Sequence, residues 1–119
     1  MKIKVRVKYW LRGRPYDSSL LKGRKMCCLG FAALQCGFTK KEIRGVEMPG
    51  RIESDNSSAI EKAKFLFNGP STYLNGKNTR FSIDAASIND DREINDNVRM
   101  TKLRALAKKY GHQFIFSKK

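Results

Sequence analysis

Met26-Cys27-Cys28-Leu29-Gly30-Phe31-Ala32-Ala33-Leu34-Gln35-Cys36-Gly37 is the stretch on which the fold turns. It is apolar on nearly every side, and a helix apolar all round is buried inside a domain. Gly37 follows as the residue that closes such a helix. Gly30 lowers helix propensity in mid-helix, so a neighbour close to the backbone is expected there. All three cysteines, Cys27, Cys28 and Cys36, lie in this segment. On one helix Cys27 and Cys36 stand about 13 Å apart along the axis, beyond the roughly 7 Å that a disulfide spans. They read as reduced thiols packed as small apolar side chains.

Toward the N-terminus, Met1 to Trp10 alternates with period two. Ile3, Val5, Val7 and Tyr9 fall on one face, and Lys2, Lys4, Arg6 and Lys8 on the other. That is the pattern of a half-buried strand, with Trp10 extending the basic face. Leu11 to Lys25 reads as a basic connection punctuated by Gly13, Pro15 and Gly23, with Asp17-Ser18-Ser19 as a helix start.

Toward the C-terminus, Thr39 and Glu42 form a capping box for a short helix over 38–45, and Ser58 with Glu61 another. The second opens a helix carrying Ile60, Ala63, Leu66 and Phe67, stopped by Gly69-Pro70. Asn75-Gly76, flanked by Tyr73 and Phe81, signals a tight hairpin. Asn89 to Asn97 is acidic. Val98 to Tyr110 is helical, with Leu103, Leu106, Ala107 and Tyr110 on one face and Arg99, Lys102 and Lys109 away from it. Asn95 or Asp96 caps its start and Gly111 its end. His112 to Lys118 is a final strand with Phe114 and Phe116 on one side. The expected fold is α+β in a single domain over 1–119: a small antiparallel or mixed sheet pairs the N- and C-terminal strands against three to four helices. Hydrophobic residues make up 40% of the 119 residues, enough for a core, which excludes global disorder. No apolar run approaches the ~20 residues of a membrane helix, and no window has the shape of a signal peptide. A cytoplasmic location without a membrane partner is therefore expected.

Net charge is +14, more than solubility requires in a chain this short. Residues 1–25 carry nine Lys/Arg against Asp17 alone, 99–119 carry seven and no acid, and 26–98 are near neutral. Pairing the terminal strands would gather both basic segments on one side of the molecule. The candidate anion-binding residues are Lys2, Lys4, Arg6, Lys8, Trp10, Arg12, Arg14 and Tyr16, joined by Arg99, Lys102 and Lys109 of the last helix. Alternate strand residues share a face about 7 Å apart, near the phosphate repeat of an extended nucleic-acid strand, and interleaved aromatics suit base stacking. A solvated strand face whose lysines guard a sheet edge is the plainer explanation. No paired Cys-x2-Cys spacing supports a metal, and His112 is the only histidine. Asp90, Asp91, Glu93 and Asp96 lack the glycine and terminal glutamate of a calcium loop. No local signature supports a Cys–His nucleophile, and no glycine loop cradles phosphate. No enzymatic activity, cofactor or metal is expected, the alternative being a cysteine- or metal-dependent enzyme.

Trp10-Leu11-Arg12-Gly13, Met26-Cys27-Cys28-Leu29-Gly30, Asn89-Asp90-Asp91 and the run Gly111 to Phe116 together resemble a family of small bacteriophage and prophage proteins of unassigned function. The resemblance implies expression inside an infected bacterium, where such proteins bind host machinery. It implies no catalytic residues. The expected function is binding of nucleic acid or of a host nucleic-acid-handling complex. The alternatives are inhibition of a host defence protein, of the anti-CRISPR type or another, and capture of an anionic nucleotide signal.

Overall fold

The computed structural model describes residues 1–14, 19–68 and 77–118. Tyr16, the Asp17-Ser18 helix start, the Gly69-Pro70 stop, Tyr73 and the Asn75-Gly76 turn lie outside the described residues. The architecture is α+β. β1 (Lys2–Arg6) pairs with β4 (Gln113–Ser117), so the first and last strands are neighbours as expected. The pair runs parallel, with Ile3 opposite Phe114 and Val5 opposite Phe116. The described residues form five α-helices: α1 (Cys28–Cys36), α2 (Lys40–Ile43), α3 (Ser57–Lys62), α4 (Arg80–Asp90) and α5 (Asp96–Lys109). A minor antiparallel pair joins β2 (Phe67–Asn68) to β3 (Lys77–Asn78).

α1 is the core helix, with Cys28 through Ala33 and Cys36 all buried. It packs on β1, whose Ile3 and Val5 are fully buried. Gly30 is where the segment entering α1 crosses it: a β-carbon there would land on the Leu20 carbonyl oxygen. Gly37 ends the helix at φ +115, a conformation that costs a side chain strain.

Several local expectations give way to tertiary packing. The alternation of β1 stops at Arg6, and Val7–Tyr9 form a 3-10 turn. The turn swings Trp10 inward, where it is 1% exposed, instead of leaving it on the basic face. Burying an indole removes a large apolar area from water. Its one polar atom is satisfied there, since Trp10 Nε1 donates to Asn89 Oδ1 at 2.7 Å. α3 is capped by Asn56, whose Oδ1 accepts from the Ala59 amide, rather than by Ser58. It ends at Lys62 because the chain is drawn away: the Leu66 carbonyl accepts from Thr79 Oγ1 and Ser82 Oγ, and Phe67–Asn68 enter β2. α4 occupies a stretch with no helical expectation. Thr79 caps it, and Phe81, Ala85 and Asn89 form its buried stripe.

Candidate anion-binding groove

A groove of about 1170 Å³ runs over the outer face of the β1–β4 pair and along the edge of β1 away from β4, bounded by α1, α2 and the 21–26 segment. Lys2, Lys4 and Arg6 line one side because Ile3 and Val5, at the alternate positions, are held in the core. Arg24 comes from the connection before α1. Lys40 opens α2, and Arg44 is its C-cap. Apolar atoms of Leu21, Met26, Phe31 and Leu34 lie between these cations.

α2 is held in place by its capping box. Thr39 Oγ1 accepts from the Glu42 amide at 3.2 Å, and Glu42 Oε1 accepts from the Thr39 amide at 2.9 Å. Hydrogen bonds from Ser54 and then Thr39 hold the Glu42 carboxyl below the usual range. The acid nearest Lys40 is thus committed to the cap and does not line the groove. No Asp or Glu lines it among the described residues. Among those residues Lys2, Lys4, Arg24, Lys40 and Arg44 form no ion pair. Like charges along a concave, partly apolar wall reinforce one another's field and raise the local concentration of anions.

The residues expected from sequence divide sharply. Lys2, Lys4 and Arg6 line the groove, whereas Lys8 is exposed in the 3-10 turn and outside it. Trp10 is buried and offers no stacking face. Arg12 is a structural cation: its Nη2 lies 2.7 Å from Asp96 Oδ2, and its guanidinium covers the Trp10 ring at 5.1 Å. Hydrogen bonding from Arg12 holds the Asp96 carboxyl below its ordinary value. Arg14 is exposed but does not line the groove, and Tyr16 lies outside the described residues. Lys102 and Lys109 are exposed on α5 and are not part of the lining.

Arg99 overturns its expected role most completely. It is 3% exposed. Its Nη1 donates to the carbonyls of Ile88, Asn89 and Asp91 at 3.0, 3.0 and 2.6 Å, and Nη2 to that of Ile94 at 2.9 Å. These carbonyls belong to the end of α4 and the loop that follows, where a helix terminus leaves acceptors without intrahelical partners. Arg99 therefore joins α4 to α5 and cannot reach a phosphate. Asn89 is a second hub, accepting from Trp10 Nε1 and the Cys28 amide and donating to the Leu11 carbonyl.

Four polar side chains of the groove escape a sequence reading. Arg24, Lys40 and Arg44 sit in a loop and a short helix whose placement opposite β1 is tertiary information. Gln35 is the fourth. Its side chain donates to the Lys4 carbonyl at 2.7 Å and accepts from the Lys4 amide at 3.0 Å.

The cysteines are free and buried. Burial pushes Cys27 up from 9.0 to about 12 and Cys36 to about 11, and raises Cys28 as well. They are protonated at neutral pH, and the thiolate is the nucleophile and the metal ligand. His112 stacks near Phe65, with ring centroids 4.3 Å apart, and its Nδ1 meets the N-terminal amine at 3.0 Å. Among the described residues no three His, Cys, Asp or Glu side chains are grouped to hold a metal ion. No described helix is long and apolar enough to cross a membrane. Comparison with family models, with curated proteins and with solved structures found no match.

Proposed function

We propose that the protein acts by binding an extended polyanion in this groove, nucleic acid first among the candidates, and performs no chemistry on it. One observation carries the reading: Lys2, Lys4, Arg6, Arg24, Lys40 and Arg44 converge on a groove whose described lining contains no carboxylate. Its volume of about 1170 Å³ lies slightly above the ~300–1,000 Å³ typical of small-molecule pockets. Base stacking contributes little here. Trp10 and Phe31 are buried, and Arg6 and Lys8 lie over the Tyr9 ring at 4.9 and 5.6 Å. Binding is therefore electrostatic and tolerant of sequence.

The test is fluorescence anisotropy with labelled single-stranded oligonucleotides across a salt series. Counterion release from single strands gives about −0.7 in log K per log salt for each phosphate contact, so full engagement of the six cations gives a slope near −4. Replacing Lys40 and Arg44 together by Gln, both exposed, should lower that slope by about 1.4 and leave the melting temperature nearly unchanged. No detectable binding to DNA or RNA at low salt removes nucleic acid as the ligand.

A second reading, contact with an acidic segment of a host nucleic-acid-handling or defence protein, is favoured by the edge of β1 that pairs with no described strand. It also suits the resemblance to small phage proteins, which implies expression inside an infected bacterium.

A further inference from the structure

We infer that the free edge of β1 is a strand-addition site for an acidic segment of a partner protein, and that the Gln35 carboxamide holds the place of that segment's main chain. The inference rests on the groove being the binding surface and not on the class of polymer proposed to fill it.

β1 has β4 on one side and no strand on the other among the described residues. Main-chain groups of a strand point alternately to its two edges. The Gln113 amide donates to the Met1 carbonyl across the parallel pair, so Met1, Ile3 and Val5 direct their groups toward β4. Lys2, Lys4 and Arg6 direct theirs to the opposite edge, which lines the groove. At Lys4 that edge is occupied as a neighbouring strand would occupy it, since one amide group, that of Gln35, both donates to the carbonyl and accepts from the N–H. Gln35 is exposed. Its hydrogen bonds are open to competition from water, and an added strand supplies the same donor and acceptor from two successive peptide groups.

Charge decides what kind of strand enters. A lysine-bearing edge repels a second copy of itself, the usual defence of edge strands against self-pairing. The same cations, faced by Arg24, Lys40 and Arg44 across the groove, attract a segment whose side chains are Asp or Glu at alternate positions. Strand addition takes affinity from the main chain and specificity from alternate side chains. Nucleic acid matches the charge but has no repeating amide for the edge. Stacking gives it little besides, because Trp10 and Phe31 are buried and the half-buried Tyr9 ring lies against Arg6 and Lys8.

The experiment measures binding of the full chain to a short labelled peptide alternating Glu and Val. The comparison ligands are two N-methylated forms, one on each alternate set of residues, and a thymidine oligonucleotide of equal charge. N-methylation removes amide donors and keeps the charge. The expected result is binding of the parent peptide, a loss of about tenfold or more on methylating one set, and little loss on methylating the other. Gln35→Ala, which removes the competing amide, should tighten the parent peptide several-fold. Equal affinity for all three peptides, or weaker binding by Gln35→Ala, overturns strand addition and leaves a groove that reads charge alone. Binding of the oligonucleotide but not of the peptide also overturns it and leaves the polyanion reading standing. If neither ligand binds the unmodified protein, both readings fall.

Discussion

Arg99 is a cation that solvent barely touches. Removing its guanidinium would strand the Ile88, Asn89, Asp91 and Ile94 carbonyls that it satisfies and leave Asp96 with Arg12 alone. Breaking a buried charged hub costs about 3–5 kcal/mol. Arg99→Met should therefore lower the urea midpoint severely, while leaving any residual groove binding unchanged per folded molecule. Arg99→Lys should recover little, because an ammonium cannot span four acceptors as a planar fork does. The clue to this burial is present in the chain. Arg99 stands four and eight residues before Leu103 and Ala107, which places it on the core stripe of α5. Reading that helix as apolar on one side and basic on the other hides the exception. Trp10 carries no comparable signal, because the Asn89 side chain that satisfies its buried indole N–H lies far along the sequence.

At the scale of elements, local chemistry predicted what local chemistry decides. The Thr39–Glu42 box, the glycine closing α1, the strand at Lys2–Arg6 and the asparagine cap of α5 are all set by residues within a turn of one another. α4 escaped because Ser82, Asp84 and Ser87 dilute its apolar stripe, and two of its anchors, Ser82 and Asn89, are polar side chains made buriable by partners elsewhere. The groove divides in the same way: its β1 wall is legible from alternation, whereas its α2 wall is not. α2 has only four residues, so its cap matters more than it would in a long helix. Thr39→Ala should cost about 1 kcal/mol of stability, within the 0.5–2 kcal/mol range for lost caps. It should also weaken polyanion binding beyond that loss, since Lys40 and Arg44 depend on the helix for position. Chemical denaturation and anisotropy on the same variant separate the two effects.

For the whole molecule, the charge has two consequences of opposite sign. A net charge of +14 opposes compaction through self-repulsion. Salt screens that repulsion over a Debye length that shortens from about 30 Å at 0.01 M to about 8 Å at physiological strength. The melting temperature should therefore rise as salt is added over this range, while affinity for the polyanion falls. A protein whose stability and binding both fell with salt would point to ion pairs holding the fold instead. The described pairs are few, and most are exposed, where each is worth under about 1 kcal/mol.

The parallel register of Lys2–Arg6 with Gln113–Ser117 also bears on timing during translation. Synthesis must pass Ser117 before β1 can find its partner, so this pairing closes late. Until β4 has been made, β1 lacks its pairing strand, and the wall that carries Lys2, Lys4 and Arg6 is not yet organised.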